Sequence, residues 1–429
     1  MKKILLILLA LITVMSLVAC DKGAAVTTPN TSENKNPVEN ENKEVNIKFV
    51  ENGSSTLYIV LPESEQRLSG YARDRLRFTL KDMMGVNILS GTASDCEYEI
   101  HVGNTGAEAA AILDSLAEDE FAVKTIDKKI YIVAKNEPSL YDAAVYFIDT
   151  YLTSKKHTKS DDKNLTLTSY IDDVQKIDKT TMHYILGAGG LNLTATVEAH
   201  TTIDNQYYYT TPQIHARQGG CYVGRFYYQL YKDIDDKIAV IAKKDLETGK
   251  VIYSKVREDL GHGNDMTYNP ITNEIIVPNG KHIVVFDAHT LEEKRTVSSS
   301  VSAGGRITYS PERDTYLFGS FKFMRSDLKT YSNRFFNADP SNKDYTNQGM
   351  ASDDCFIYSL IMTPKGGSKY LTHVAVYDWS GNYVGFINVE IEGLYEPENI
   401  SVVDGVLYIG TCTPHPIVTL NKLIISLPQ

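Results

Sequence analysis

Four stretches of this chain repeat one plan: an apolar strand, an aspartate, a short turn and a second strand. They are "IAVIAKKDLETGKVIYSK", "HIVVFDAHTLEEKRTV", "FKFMRSDLKTYSNRFF" and "HVAVYDWSGNYVGFINV", and Asp245, Asp287, Asp327 and Asp378 hold matching places about 40 to 50 residues apart. "PIVTLNKLIISL" reads as a degenerate fifth copy, with Asn421 in the aspartate place. A unit of this length cannot bury both faces of its own sheet, so it must stack on neighbours of the same kind. The repeated aspartates are expected to accept amides of their own turns.

A second half-motif precedes each copy. "ARQGGCYVGRFYYQ", "GHGNDMTYNPITNEIIV", "AGGRITYSPERDTYLFG", "TNQGMASDDCFIYSL" and "EPENISVVDGVLYIG" each start small or polar, then alternate, turn and continue as a β-rich strand. Joined to the aspartate copies they predict an all-β propeller over residues 180–429. Five blades are favoured and six are allowed, the segment from His183 to Tyr209 being expected either to close the ring or to add to a sixth sheet. The pattern resembles the quinoprotein- and YVTN-like propeller superfamily and lacks the regular Trp-Asp signature of WD40 repeats.

Ahead of the repeats the period mixes helix and strand. Leu68, Ala72, Leu76, Leu80 and Met83 recur at helical spacing until Gly85, and "FAVKTIDKKIYIVA" reads as a hairpin turning at Asp127 and Lys128. A further helix is expected to start at a Ser139 cap. Residues 47–172 therefore predict a small α+β domain, and the polar run "DDVQKIDK" from Asp172 to Lys179 predicts a linker. "YARDRLRFTLKDMMGVNI", "YEIHVGNTG", "FAVKTIDKKIYIVA" and "SLYDAAVYFIDTYL" come in an order that resembles the accessory domain of hexosaminidase- and α-glucuronidase-like glycosidases. In that family the domain is not catalytic. No barrel follows here, so the resemblance implies no glycosidase activity.

Residues 1–20 set an expected location. Lys2 and Lys3 precede an apolar run from Ile4 to Val18 that ends in "LVAC", the arrangement of a secretory signal. It resembles the lipobox of bacterial lipoproteins, which implies lipidation at Cys20 and an extracytoplasmic chain anchored in the cell membrane. Residues 21–46 carry no aromatic side chain and read as a disordered tether. The net charge of −11, without a long basic block, argues against nucleic acid as a partner. Cys96, Cys221, Cys355 and Cys412 show no metal-type spacing and are expected to be structural, with one bridge at most.

The starts of the leading strands are the candidate site, because a propeller gathers them at one mouth of its channel. They place Gln218, His262, Asn264, Asp265, Arg306, Gln348, Glu396, Glu398 and Asn399 in a common funnel. HExxH, GxSxG and GxxxxGK signatures are absent. The expected function is non-catalytic binding of an extracellular ligand, with a glycan or a peptide best suited, and no cofactor. The alternative is a hydrolase with a central calcium, since Asn264, Asp265, Glu398 and Asn399 offer the oxygen donors that ion prefers. That arrangement resembles the calcium-centred propeller lactonases and arylesterases, whose full motif set is not matched. The abundant tyrosines, such as Tyr227 and Tyr228, read as core.

Overall fold

The computed structural model describes residues 45–426, apart from 65–66, 190–191, 209–213, 304, 312, 320–321, 326, 329–330, 333–345, 366–368, 380, 392–395 and 413–416. The expected signal peptide, Cys20 and nearly all of the expected tether lie outside the described residues.

The first layer is a six-stranded sheet in the order Asp172–Lys176, Glu120–Ile126, Lys129–Ala134, Tyr98–Val102, Leu57–Val60, Leu89–Gly91. The last four run parallel, and the other two are antiparallel additions. Helix α1 (Arg67–Met84) buries Ala72, Leu76 and Leu80 completely, as their spacing requires. Helix α2 (Ala107–Ser115) is a helix that periodicity did not flag, because "AEAAAILDS" carries a weak apolar stripe. Helix α3 (Pro138–Phe147) starts at proline, whose fixed φ suits a first helical residue. Ser139 is not its cap. The serine is buried, and its hydroxyl donates to Asn136 Oδ1 at 2.7 Å.

The linker reading of "DDVQKIDK" also needs correction. Asp172–Lys176 is an edge strand paired with Glu120–Ile126, so the α+β layer runs to Lys176 rather than stopping at 172. Its alternating exposed and half-buried side chains are those of a polar edge, which sequence alone does not separate from a loop. Helix α4 (Met182–Gly189) follows and packs on α3. Met182, Ile185 and Tyr141 share one apolar cluster with Phe356 and Tyr358 of the repeat region. The Tyr141 hydroxyl donates to Asp354 at 2.5 Å. Residues Glu44–Gln429 thus form a single compact unit.

The repeat region is a propeller-like array of antiparallel meanders. The leading strands are Ala216–Val223, Thr267–Asn269, Ile307–Ser310, Thr346–Ser352 and Pro397–Val403. They touch in cyclic order, and the last returns to the first. Asp245, Asp287 and Asp378 accept amides of their own turns, from Glu247, from His289 and Thr290, and from Asn382, at 2.9 to 3.0 Å. Asn421 breaks the analogy. It lies inside the strand Ile417–Ser426, and its side chain donates to Thr411 Oγ1 at 2.8 Å. The outer strand of that last meander is instead Asn192–Asp204, delivered from before the first repeat. It also pairs in parallel with Tyr383–Glu390, which fuses the fourth and fifth meanders into one eight-stranded sheet.

Tight packing at the axis explains two glycines. A Cβ on Gly219 would lie 2.3 Å from the Asp265 Cα, and one on Gly349 would lie 3.0 Å from the Asn399 Cα. The leading strands approach to backbone contact, so the middle of the channel is nearly closed.

Candidate functional site

The predicted funnel separates into two groups. One centres on Asp265, fully buried at the start of the second leading strand. One of its oxygens accepts the Met266 amide at 2.9 Å. The other accepts Ile307 N–H at 3.0 Å and Met350 N–H at 2.9 Å. A single carboxylate therefore ties the second, third and fourth leading strands. Burial pushes its carboxyl well up, against the pull of those amides and of Arg306. Arg306 is buried too. Its guanidinium donates to Ser359 Oγ at 2.7 Å, and burial pulls its pKa down to about 10. Asn264 packs under Gly305, at the junction of the second and third leading strands.

The other group lies where the starts of the fourth and fifth leading strands meet the ends of the strands behind them. Gln348 donates to Glu396 Oε1 at 3.0 Å and to the Met362 sulfur at 3.3 Å. Glu398 accepts the Cys412 thiol at 3.3 Å. β-Bulges interrupt the pairing at Gln218, Gln348 and Glu398, turning these positions out of simple alternation. The carbonyl of Gln218 accepts from Gln229, whose Oε1 in turn accepts from Asn399 Nδ2 at 3.1 Å. Asn399 is therefore wall rather than lining. His262 stands half out in solvent, 3.1 Å from Asp236, which also pairs with Lys232.

Burial raises the Glu398 carboxyl well above its usual range, and Glu396 adds to this, while Arg217 and Lys232 oppose it. Burial also raises the Cys412 thiol, with Glu398 adding to the effect, so sulfur here is a protonated donor and not a nucleophile. Arg217 and Lys232 escaped the sequence reading, and Cys412 was expected only as a structural thiol away from the site. Their only signal is register, since Ala216 sits opposite Lys232 and Pro397 opposite Thr411.

A raised folded pKa has a definite sign. Glu398 holds its proton in the folded chain at a pH where the unfolded chain has lost it. Stability is thus complete below about 4.5, the usual glutamate value, and falls as pH climbs toward the folded pKa. Glu398→Gln should flatten that fall, by up to about 1.4 kcal/mol per pH unit, and should raise the melting temperature at pH 8 relative to wild type. Melting curves from pH 4 to 8 read this directly; parallel curves for the two proteins would refute it.

The four donors suggested for calcium do not make one site. Both Asp265 oxygens already face amide hydrogens, the wrong polarity for a neighbouring cation. The charges acting on Glu398 are Glu396, Arg217 and Lys232, whereas Arg306 acts on Asp265. Among the described residues no group of three or more His, Cys, Asp or Glu side chains is placed to hold an ion. The residues present do not fit calcium. All four cysteines beyond Cys20 are free.

The opposite end of the axis holds a cavity of about 170 Å³ that touches all five leading strands. Tyr222, Tyr268, Tyr309, Thr308, Ser352 and Ser401 line it beside Met266, Met350 and Ile400. Among the described residues that line it, none is charged. Thr308 and Ser352 hydroxyls lie 2.8 Å apart, and Ser401 Oγ accepts the Tyr222 amide at 2.8 Å. Sequence could not mark this end, because strand tyrosines look alike in core and cavity; Tyr227 and Tyr228 are indeed core.

No protein-family model matches the chain, and neither does any curated protein. Solved structures similar to it include a nidogen/laminin complex, at 13% identity over 50% of this chain and 81% of that one, with a TM-score of 0.33. A tail fibre of Staphylococcus aureus phage P68 has 12% identity, coverage of 53% and 52%, and a TM-score of 0.38. The Myceliophteria thermophila Cps50 (Swd1) β-propeller domain has 8% identity, coverage of 53% and 100%, and a TM-score of 0.32. At such scores these likenesses carry no argument about what this chain does.

Proposed function

We propose that this chain is a surface lipoprotein whose five-bladed propeller binds a neutral extracellular ligand in its axial cavity, without catalysis. The observation that supports the reading is the cavity lined from all five leading strands by tyrosine rings and hydroxyls, with no charged group among its described lining residues. Apolar faces ringed by hydroxyl donors and acceptors suit a sugar ring, which presents C–H faces and equatorial hydroxyls. A glycan is therefore the better ligand class, and a peptide the second. The cyclic contact of five leading strands supports five blades rather than six. No observation favours the calcium-centred hydrolase.

A glycan panel titrated against the full chain tests the reading. Tyr268→Ala removes a half-buried ring from the cavity wall and should weaken any bound sugar at least about tenfold, the effect of losing one good stacking contact. Equal affinity for wild type and variant, or no binding across the panel, would count against it. The membrane anchor is tested separately. Cys20→Ala should move the chain from the membrane to the soluble fraction, and a variant that stays with the membrane would remove the lipoprotein assignment.

A further inference from the structure

His183 sits where helix α4 meets α3 and the fourth meander. Its side chain is 14% exposed, and its Nδ1 stands 3.1 Å from Oδ1 of Asp142 on α3, itself 15% exposed. The other Asp142 oxygen is buried without a hydrogen-bond partner. Among the described residues, His183 is the one cationic group paired with this carboxylate. Tyr141, next to Asp142, lays its ring 4.6 Å from the imidazole and donates its hydroxyl to Asp354 at 2.5 Å. Asp353 and Asp354 lie in the turn that joins Thr346–Ser352 to Phe356–Lys365. Arg75 of α1 lies 3.4 Å from Asp354, and Arg313 lines the same crevice. Asp353 pairs with no lysine or arginine among the described residues. Its oxygens accept the Cys355 and Phe356 amides at 2.9 and 2.8 Å and the Tyr358 hydroxyl at 2.6 Å.

We propose that His183 is a proton-operated latch between the α+β layer and the propeller. Protonated, it balances Asp142 and the Asp353-Asp354 turn and keeps α4 seated. Neutral, it strands Asp142 as a buried charge without a counter-ion, which is strongly destabilising, and the turn and α4 open to admit water. The charged groups that act on the imidazole are Asp142, Asp353 and Asp354. Burial works against the imidazolium, but these carboxylates outweigh it and raise its pKa above the usual histidine value. The latch is therefore complete below about 6.5, the unfolded histidine value, and is lost as pH climbs through the folded one. Burial also raises the Asp353 carboxyl, against the pull of His183, so its part is complete below about 3.8 and likewise fades as pH rises. The latch does not depend on what the axial cavity binds.

Cys355 is a built-in reporter. Its free thiol is buried in the same turn and shares an apolar cluster with Tyr141 and Met182. The full chain is pulsed with N-ethylmaleimide at pH values from about 5.5 to 8.5, and each cysteine is read by peptide mass spectrometry. The exposed Cys96 corrects for the rise in thiolate with pH, and Cys221, buried in a different cluster, reports global unfolding. Corrected Cys355 labelling should rise at least about tenfold from pH 6 to pH 8.5, since each unit past the folded pKa shifts the opening equilibrium up to tenfold, while Cys221 stays protected. His183→Gln should label at pH 6 as fast as wild type does at pH 8.5, without further pH dependence. Asp142→Asn, which leaves no charge to strand on α3, should keep Cys355 protected at pH 8.5, and adding it to His183→Gln should restore most of the lost protection. The proposal is overturned if corrected Cys355 labelling in wild type is flat across the range, if Cys221 opens in step with it, or if His183→Gln keeps the wild-type profile.

Discussion

Asp265→Ala is expected to lower the stability of this chain by about 4 kcal/mol, as three buried donors lose their acceptor together. The amides of Met266, Ile307 and Met350 all end on this one carboxylate, and none of them can reach water. A buried donor left without a partner costs roughly 1 to 3 kcal/mol. Relief of the carboxylate's own burial offsets part of the sum, and stranding Arg306 without its neighbouring charge adds to it. Asp265→Asn keeps one acceptor oxygen but turns an amide toward the donors, so it should fall between Ala and wild type. Urea unfolding gives the order. An alanine variant within about 1 kcal/mol of wild type would mean that the strands are held by packing alone.

Much of this architecture was legible because the repeat unit and its turn chemistry are local. Asp245, Asp287 and Asp378 need only their own turns, so residue type and spacing sufficed to find them. Register between neighbouring strands is not local. Asp265 and Glu398 occupy similar places in their leading strands, yet bulges at Gln218, Gln348 and Glu398 shift the register by a residue or more. One such shift separates a carboxylate facing amides from one facing a thiol, and the supposed common funnel divides there. The same limit hid the axial cavity, since Tyr268 and Tyr228 differ in exposure but not in pattern. Asn421 failed for another reason. A chain that closes a ring with a strand from its beginning leaves its final repeat one strand short, so the last copy has no turn to fill.

That closing strand carries the other large expected effect. Asn192–Asp204 lies between Tyr383–Glu390 and Ile417–Ser426, and buries Leu193 and Ala195 against Ile387, Val389 and Leu423. Ala195 faces Val389 on one side and Ile425 on the other. Ala195→Pro removes an amide from the middle of a sheet and fits neither neighbour, which costs about 3 kcal/mol or more. The loss should not stay local, because this strand joins the fourth meander to the fifth and brings a segment from before the first repeat into the last one. Hydrogen exchange should rise first in Tyr383–Glu390 and Ile417–Ser426 and only later in Phe226–Lys232, which has its own partners on both sides. Glu198→Ala, about 10 Å along the same strand on its exposed side, should leave both edges protected. Refolding should be slow as well, since the clasp forms only after more than two hundred intervening residues have taken shape. If the proline variant keeps wild-type protection in both flanking strands, the ring is closed by the contact of its first and last leading strands at the axis and not by the clasp.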